Sequence, residues 1–310
     1  MVEYLINLTR GGCMFHAFIK KLLLVAGLAF LIPSFVFALQ DGAARTPPMG
    51  FNTWNYFGCN GCNQTNVIAV MNAMLIKHPA NWEGKSINLM DAGYKYINLD
   101  DCWELGSTRT NDTLHWDPTR FPKGLPWLAD TLHSRGFELG IYSCCGTQTC
   151  AGRPASYGYE AEDAYTFVKW GITYLKEDWC YTPANANAPS LYSKMGHGIV
   201  DAQKKLGIKS TFVFSLCNWG VQSPWLFGDT CGHLWRTTGD IGARFSGSAD
   251  GGTGGGSVQS NFLNNSNHWQ NESPGNWNDP DMLEVGNSLT DVQGQSHFDL
   301  WCISAAPLIM

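Results

Sequence analysis

The chain has 310 residues, a formal net charge of −6, and a composition that is 44% hydrophobic but only 15% charged. That length can bury a full core, as one large barrel or two ordinary domains. The acidic balance, with no Lys/Arg run beyond short pairs, lacks the basic stripe that a nucleic-acid partner requires.

In chain order, Lys20 and Lys21 precede an apolar run from Leu22 to Ile32, and Val36-Phe37-Ala38 supplies a small-x-small cleavage site. This predicts a secretory leader over residues 1–38, cut after Ala38, with Met14 an alternative start. The rival reading, a membrane anchor, is disfavoured by the shortness of the run and by Pro33. The mature protein, residues 39–310, is expected to be extracellular and free of the membrane. Cys13 leaves with the leader, and the ten remaining cysteines read as disulfides in an oxidising compartment. No H-E-x-x-H occurs, and Cys59/Cys62 has no answering C-x-x-C, so no metal or other cofactor is expected. Within residues 39–310, four acceptor sequons, at Asn63, Asn111, Asn264 and Asn271, fit the same secretory route.

Past the leader, short apolar runs alternate with longer helical stretches. Strands are predicted over 49–54, 94–100, 138–143, 173–178, 210–216, 233–236, 277–283 and 306–310. Amphipathic helices are predicted over 127–135, 160–170 and 190–206, with Gly136 and Gly207 as terminators of two of them. Eight strands at mostly βα spacing predict an α/β fold, a parallel (β/α)8 TIM barrel. The Gly-rich stretch 250–257 reads as a loop without the G-K-[ST] of a phosphate cradle.

Most of these strands run apolar and end in polar or ionisable groups. Trp54, Asp100-Asp101, Lys176, Asp178, Cys217-Asn218, Arg236, Asp240 and Asp281 all fall at or just beyond strand C-termini, which share one rim of such a barrel. Single members could be helix N-caps; the set as a whole points to an active site. Lys176 and Asp178 are two apart on one strand and so share a face, and the cation favours an ionised, nucleophilic carboxylate. Asp240 is expected to carry a raised pKa from the charge on Asp178, as a proton donor needs. Two such groups are the basis of glycoside hydrolysis, with retention at a separation of about 5–5.5 Å. Adjacent Asp100 and Asp101 would repel unless they share donors, either sugar hydroxyls or a metal; hydroxyls are the preferred reading.

Six blocks carry a resemblance to glycoside hydrolase family 27, the α-galactosidases and α-N-acetylgalactosaminidases. They are Thr46-Pro-Pro-Met-Gly-Phe-Asn-Thr-Trp-Asn55, Tyr96-Ile-Asn-Leu-Asp-Asp-Cys-Trp103, Tyr174-Leu-Lys-Glu-Asp-Trp-Cys180, Ser215-Leu-Cys-Asn-Trp-Gly220, Trp235-Arg-Thr-Thr-Gly-Asp240 and Trp277-Asn-Asp-Pro-Asp-Met-Leu283. The resemblance spans roughly Thr46 to Met310. It implies double displacement on terminal α-galactosides, with Asp178 as nucleophile and Asp240 as acid/base. It further implies Trp54 on the apolar side of the sugar, Asp100 and Asp101 on the 4- and 6-hydroxyls, Lys176 near the 3- and 4-hydroxyls, and Arg236 and Asp281 at the 2-hydroxyl. Substrate choice at C2 would lie near Cys217-Asn218-Trp219, where the bulk of Trp219 is similar to the α-galactosidase form. Asn218 departs from the Glu common in plant and animal members and resembles the fungal form. Implied disulfides are Cys59–Cys102 and Cys150–Cys180. Family members continue past strand eight into a last helix and an antiparallel β domain. The chain stops at Met310, so the barrel is expected to be incomplete there, with an open apolar face, as in a fragment. The alternatives are an α-N-acetylgalactosaminidase, a sugar-binding fragment without full activity, and a metal-dependent barrel hydrolase.

Overall fold

A computed structural model describes residues 42–79, 84–247 and 255–310. The predicted leader, with Lys20, Lys21 and Ala38, lies outside the described residues, as does most of the Gly-rich stretch. Eight strands form one parallel sheet: β1 (Met49–Asn52), β2 (Tyr96–Asn98), β3 (Glu138–Cys144), β4 (Tyr174–Asp178), β5 (Val213–Cys217), β6 (Leu234–Arg236), β7 (Trp277–Asp279) and β8 (Leu308–Ile309). Their order is β7-β6-β5-β4-β3-β2-β1-β8, so each neighbours its predecessor and β8 returns to β1, as in a (β/α)8 barrel. All eight predicted strands are present, most of them shortened at one or both ends.

The helices are α1 (Trp54–Gly61), α2 (Gln64–Met74), α3 (Leu125–His133), α4 (Glu160–Lys169), α5 (Ala188–Leu206), α6 (Val258–Asn265) and α7 (Asp291–Ile303). The three predicted helices are α3, α4 and α5. Several of the helices have a visible local reason to form. Asn63 caps α2 by accepting from the Asn66 N–H at 3.0 Å. Helix α4 places Glu160, Glu162 and Asp163 in its first turn and Lys169 in its last, matching the helix dipole. Helix α5 ends at Gly207, whose φ of 67° is a left-handed cap that a Cβ would oppose. Between β5 and β6 the chain makes only two 3-10 turns, Pro224–Leu226 and Gly228–Thr230, in place of a helix.

Strand alternation divides the core in two. Outward residues such as Ile97, Leu139, Ile141, Leu175, Phe214, Leu216 and Trp235 join the main core under the helices. Inward residues Tyr174, Val213, Leu234 and Trp277 fill the lower barrel, with Tyr96 packed against them. Gly140 is fixed by close approach: a Cβ there would stand 1.9 Å from Asn98 Oδ1.

At the end of the chain β8 pairs with β1 through Met49–Leu308 and Gly50–Ile309. Among the described residues no ladder joins β7 to β8, but the Leu283 N–H just beyond β7 donates to Ile309 O at 2.7 Å. Leu308 and Ile309 are buried. A groove of about 410 Å³ beside this end of the sheet is lined by Phe51, Val70, Met74, Leu89, Val285 and Met310. No described helix is long and apolar enough to cross a membrane.

Candidate active site

The inward positions change character toward the strand C-termini. Above the apolar floor lie Asn52, Asn98, Lys176, Ser215, Cys217, Arg236 and Asp279, around a small internal cavity of about 20 Å³. Above that opens a pocket of about 110 Å³, lined by Trp54, Asp100, Asp101, Lys176, Asp178, Arg236, Asp240 and Asp281 together with Asn55, Tyr142, Cys150, Ile241 and Met282. Eight of the ten residues singled out in the sequence therefore share one pocket. Cys217 lies below it, almost fully buried, with its Sγ 3.5 Å from an Arg236 nitrogen. Trp219 is half-buried beside the main core, in a left-handed backbone conformation (φ 54°), and does not line the pocket.

The adjacent carboxylates are held apart by separate donors. Asp100 Oδ2 accepts from Lys176 Nζ and Asn52 Nδ2, both at 2.8 Å. Asp101 Oδ1 accepts from Thr149 Oγ1 at 2.8 Å and Oδ2 from the Ala151 N–H at 2.8 Å. Burial pushes the Asp101 carboxyl above its usual range, against these donors. Burial opposes the Lys176 charge, but Asp100 beside it carries the ammonium well above the usual lysine range.

Asp178 Oδ1 accepts from the Trp179 N–H at 2.8 Å, and Oδ2 from Tyr142 Oη at 3.1 Å. Burial pushes the Asp178 carboxyl up to about 6, with Lys176 pulling it down and the charges of Asp240 and Asp100 pushing it up. Asp240 sits at the mouth, its side chain 72% exposed and 3.1 Å from Arg236. Burial of its surroundings acts to raise it, but Arg236 and Lys176 outweigh this and hold Asp240 below the usual carboxylate range. The expected polarity is thus reversed. In the free site the raised carboxyl is Asp178, which is buried, and the lowered one is Asp240, which faces water and a guanidinium.

Arg236 is 2% exposed and also meets Asp281 Oδ2 at 2.8 Å. Asp281 is fastened further by the N–H groups of Ile241 (2.7 Å) and Met282 (2.8 Å). Its φ of 94° is a strained conformation for a non-glycine residue, sustained by these contacts. Burial pushes Asp281 up to about 7 against the pull of Arg236.

Tyr142 was the principal residue not singled out in the sequence. The signal was its parity: it pairs in register with Lys176 across β3 and β4, so it points inward beside it. Both implied disulfides are present, Cys59–Cys102 and Cys150–Cys180. The other six described cysteines are unpaired, five of them buried. Among the described residues, one His/Cys/Asp/Glu group has metal-like clustering, Cys150, Asp178 and Cys180. Its two sulfurs are bonded to each other, which leaves one carboxylate to ligate.

A (β/α)8 barrel with paired carboxylates in a polar pocket at its strand C-termini is the class that this fold and site define. Residues 46–310 match the family model described as Alpha galactosidase A, and the chain belongs to that family. It is 39% identical over 312 residues to Alpha-galactosidase A of Cellvibrio japonicus, covering 94% of this chain and 68% of that protein. It superposes on alpha-galactosidase I from Mortierella vinacea with a TM-score of 0.76 at 36% identity, covering 87% and 68% of the two chains. An alpha-galactosidase from Saccharomyces cerevisiae with raffinose gives a TM-score of 0.74 at 32% identity, covering 90% and 61%. The chain spans about two thirds of the length of curated relatives that it matches.

Proposed function

We propose that residues 39–310 are the catalytic barrel of a secreted, retaining α-galactosidase that removes terminal α-D-galactosyl residues. The observation that carries this reading is one pocket holding Asp178, buried and hydrogen-bonded, opposite a mouth occupied by Asp240. Asp178 attacks the anomeric carbon, and Asp240 protonates the departing glycosidic oxygen. Water then attacks the galactosyl-enzyme with Asp240 as base, and Asp178 leaves. At pH 7 a carboxyl titrating near 6 is mostly ionised, as a nucleophile requires. Asp240 gains its proton when the substrate displaces solvent from the mouth, because lost hydration and the nearby Asp178 charge both raise its pKa. Asp100, Asp101 and Lys176 hold ring hydroxyls against the face of Trp54, and Arg236 and Asp281 hold the 2-hydroxyl side. A hydroxyl of wrong configuration leaves these buried groups unpaired, which is strongly discriminating.

The relative solved with raffinose supports α-galactosyl oligosaccharides as the substrate class. The leader-like residues 1–38 and the two disulfides support an extracellular location. The test is hydrolysis of an aryl α-galactoside followed by NMR. The first product is expected to be the α-anomer, and Asp178→Asn to lose at least about 10³-fold in kcat. A β-anomer as first product, or an active Asp178→Asn, refutes the reading. Faster hydrolysis of the aryl α-N-acetylgalactosaminide would move the specificity to the 2-acetamido sugar.

A further inference from the structure

Away from the pocket, Arg109–Asp112 begins a tight hairpin. Thr110 and Thr113 bridge antiparallel, with the Thr113 N–H donating to Thr110 O at 3.1 Å. Asn111 and Asp112 between them have φ of 51° and 59°, the two left-handed positions of a type I′ turn. The hairpin is pinned to the α4 region. Arg109 forms a bidentate pair with Asp163, one arm at 2.8 Å, and its guanidinium lies 4.1 Å over the Tyr159 ring. Tyr159 Oη donates to Asp112 Oδ1 at 3.0 Å. Asn111 at the tip is exposed and opens the sequon Asn111-Asp-Thr113.

This hairpin forms one wall of a groove of about 510 Å³ over α4 and α5. That volume lies in the range of about 300–1,000 Å³ typical of small-ligand sites. Gly198 and Ala202 put no long side chain on its floor, Glu162 and Asp201 supply carboxylates, and Tyr165 supplies an aromatic ring with the Lys205 ammonium 4.7 Å over one face. Carboxylate acceptors and an ammonium donor beside an aromatic ring suit a neutral ligand rich in hydroxyl and acetamide groups.

We propose that Asn111 is an N-glycosylation site and that the first two N-acetylglucosamine residues of its glycan lie in this groove. The donor is a lipid-pyrophosphate-linked oligosaccharide. A bond forms from Asn111 Nδ2 to the sugar C1, the bond from C1 to the pyrophosphate oxygen breaks, and the amide proton leaves with the lipid pyrophosphate. The rigid hairpin fixes the direction in which the glycan departs, so seating it costs less ordering entropy than on a mobile loop.

The proposal rests on the secretory reading and is independent of the catalytic one. The experiment expresses the chain in a eukaryotic host with the host's own leader in place of residues 1–38, so failure of the native leader does not affect it. Aryl-galactosidase activity is assayed separately. Peptide mass mapping reports Asn111 occupancy. An endoglycosidase that cuts between the two core sugars then compares native with denatured protein. The expected result is an occupied Asn111 whose glycan is trimmed about tenfold more slowly in the native state, with Tyr165→Ala abolishing the difference. Asp201→Ala, at an exposed wall position, replaces Tyr165→Ala should the latter fail to fold. An unmodified Asn111 in the secreted protein overturns the proposal. So does a glycan trimmed equally fast in native and denatured protein, or one whose protection survives the wall substitution.

Discussion

Burial holds the Asp178 carboxyl near 6 while Lys176 and the Trp179 amide pull against it, and this balance can be read in two ways. On the proposed mechanism, the acid limb of kcat/KM should fall through a pKa of about 6, because a protonated nucleophile cannot attack. A pH–rate profile of the aryl galactoside checks this. In stability, a folded pKa above the unfolded value means stabilisation present below about 4 and lost as pH rises through about 6. Asp178→Asn should therefore be more stable than the native protein at pH 7, on the order of 2 kcal/mol, and show no advantage at pH 4. Thermal melts at the two pH values measure the difference. Tyr142 donates to the same carboxylate. Tyr142→Phe removes a hydrogen bond to a charge, which should cost about 10-fold or more in kcat/KM and move the acid limb upward. An unmoved limb would assign Tyr142 to packing alone.

At the scale of elements, β4 displays the alternation that made the site legible. Tyr174, Lys176 and Asp178 point into the barrel, and Leu175 and Glu177 point toward the helices. Glu177 is fully buried there, and burial, with Glu160 adding to it, pushes its carboxyl well above the usual range. Its folded-state pKa is raised, so its ionisation costs stability as pH rises. Glu177→Gln should leave kcat nearly unchanged and extend the stable range on the alkaline side, as denaturant melts across pH would show. The strands were readable because most of them run apolar and then end in a polar group. Helices α3, α4 and α5 were readable from their amphipathic stripes, and α4 and α5 from charged outer faces as well. Helix α7 was not, because it buries only Gly294, His297 and Trp301 and has no apolar stripe to detect. The same limit applies within the pocket. The donors that separate Asp100 from Asp101 come from Asn52, Thr149 and Ala151, each 48 to 50 residues distant. Motif reading found the carboxylates but could not reach partners supplied by a neighbouring strand and by the loop beyond β3. For the same reason the inverted polarity of Asp178 and Asp240 was hidden, since burial of one and exposure of the other exist only in the folded barrel.

Across the whole molecule, the eight-strand order followed from βα spacing, whereas the way in which the two ends of the sheet meet did not. That junction is the contact of Leu283 with Ile309. Leu283 follows Asp281 and Met282, which line the pocket, and Asp281 ties to the Ile241 amide and to Arg236. One short segment is therefore both pocket wall and clasp of the cylinder. Occupancy of the pocket and fastening of the clasp are then reciprocal: whatever a bound sugar gains from a fixed Asp281, the junction gains from the sugar. Saturating galactose should slow hydrogen exchange of the Leu283 amide more than that of amides at the β3–β4 ladder, which eight strands already enclose. On the proposed function, a bound sugar would serve as one more staple in the wall that surrounds it.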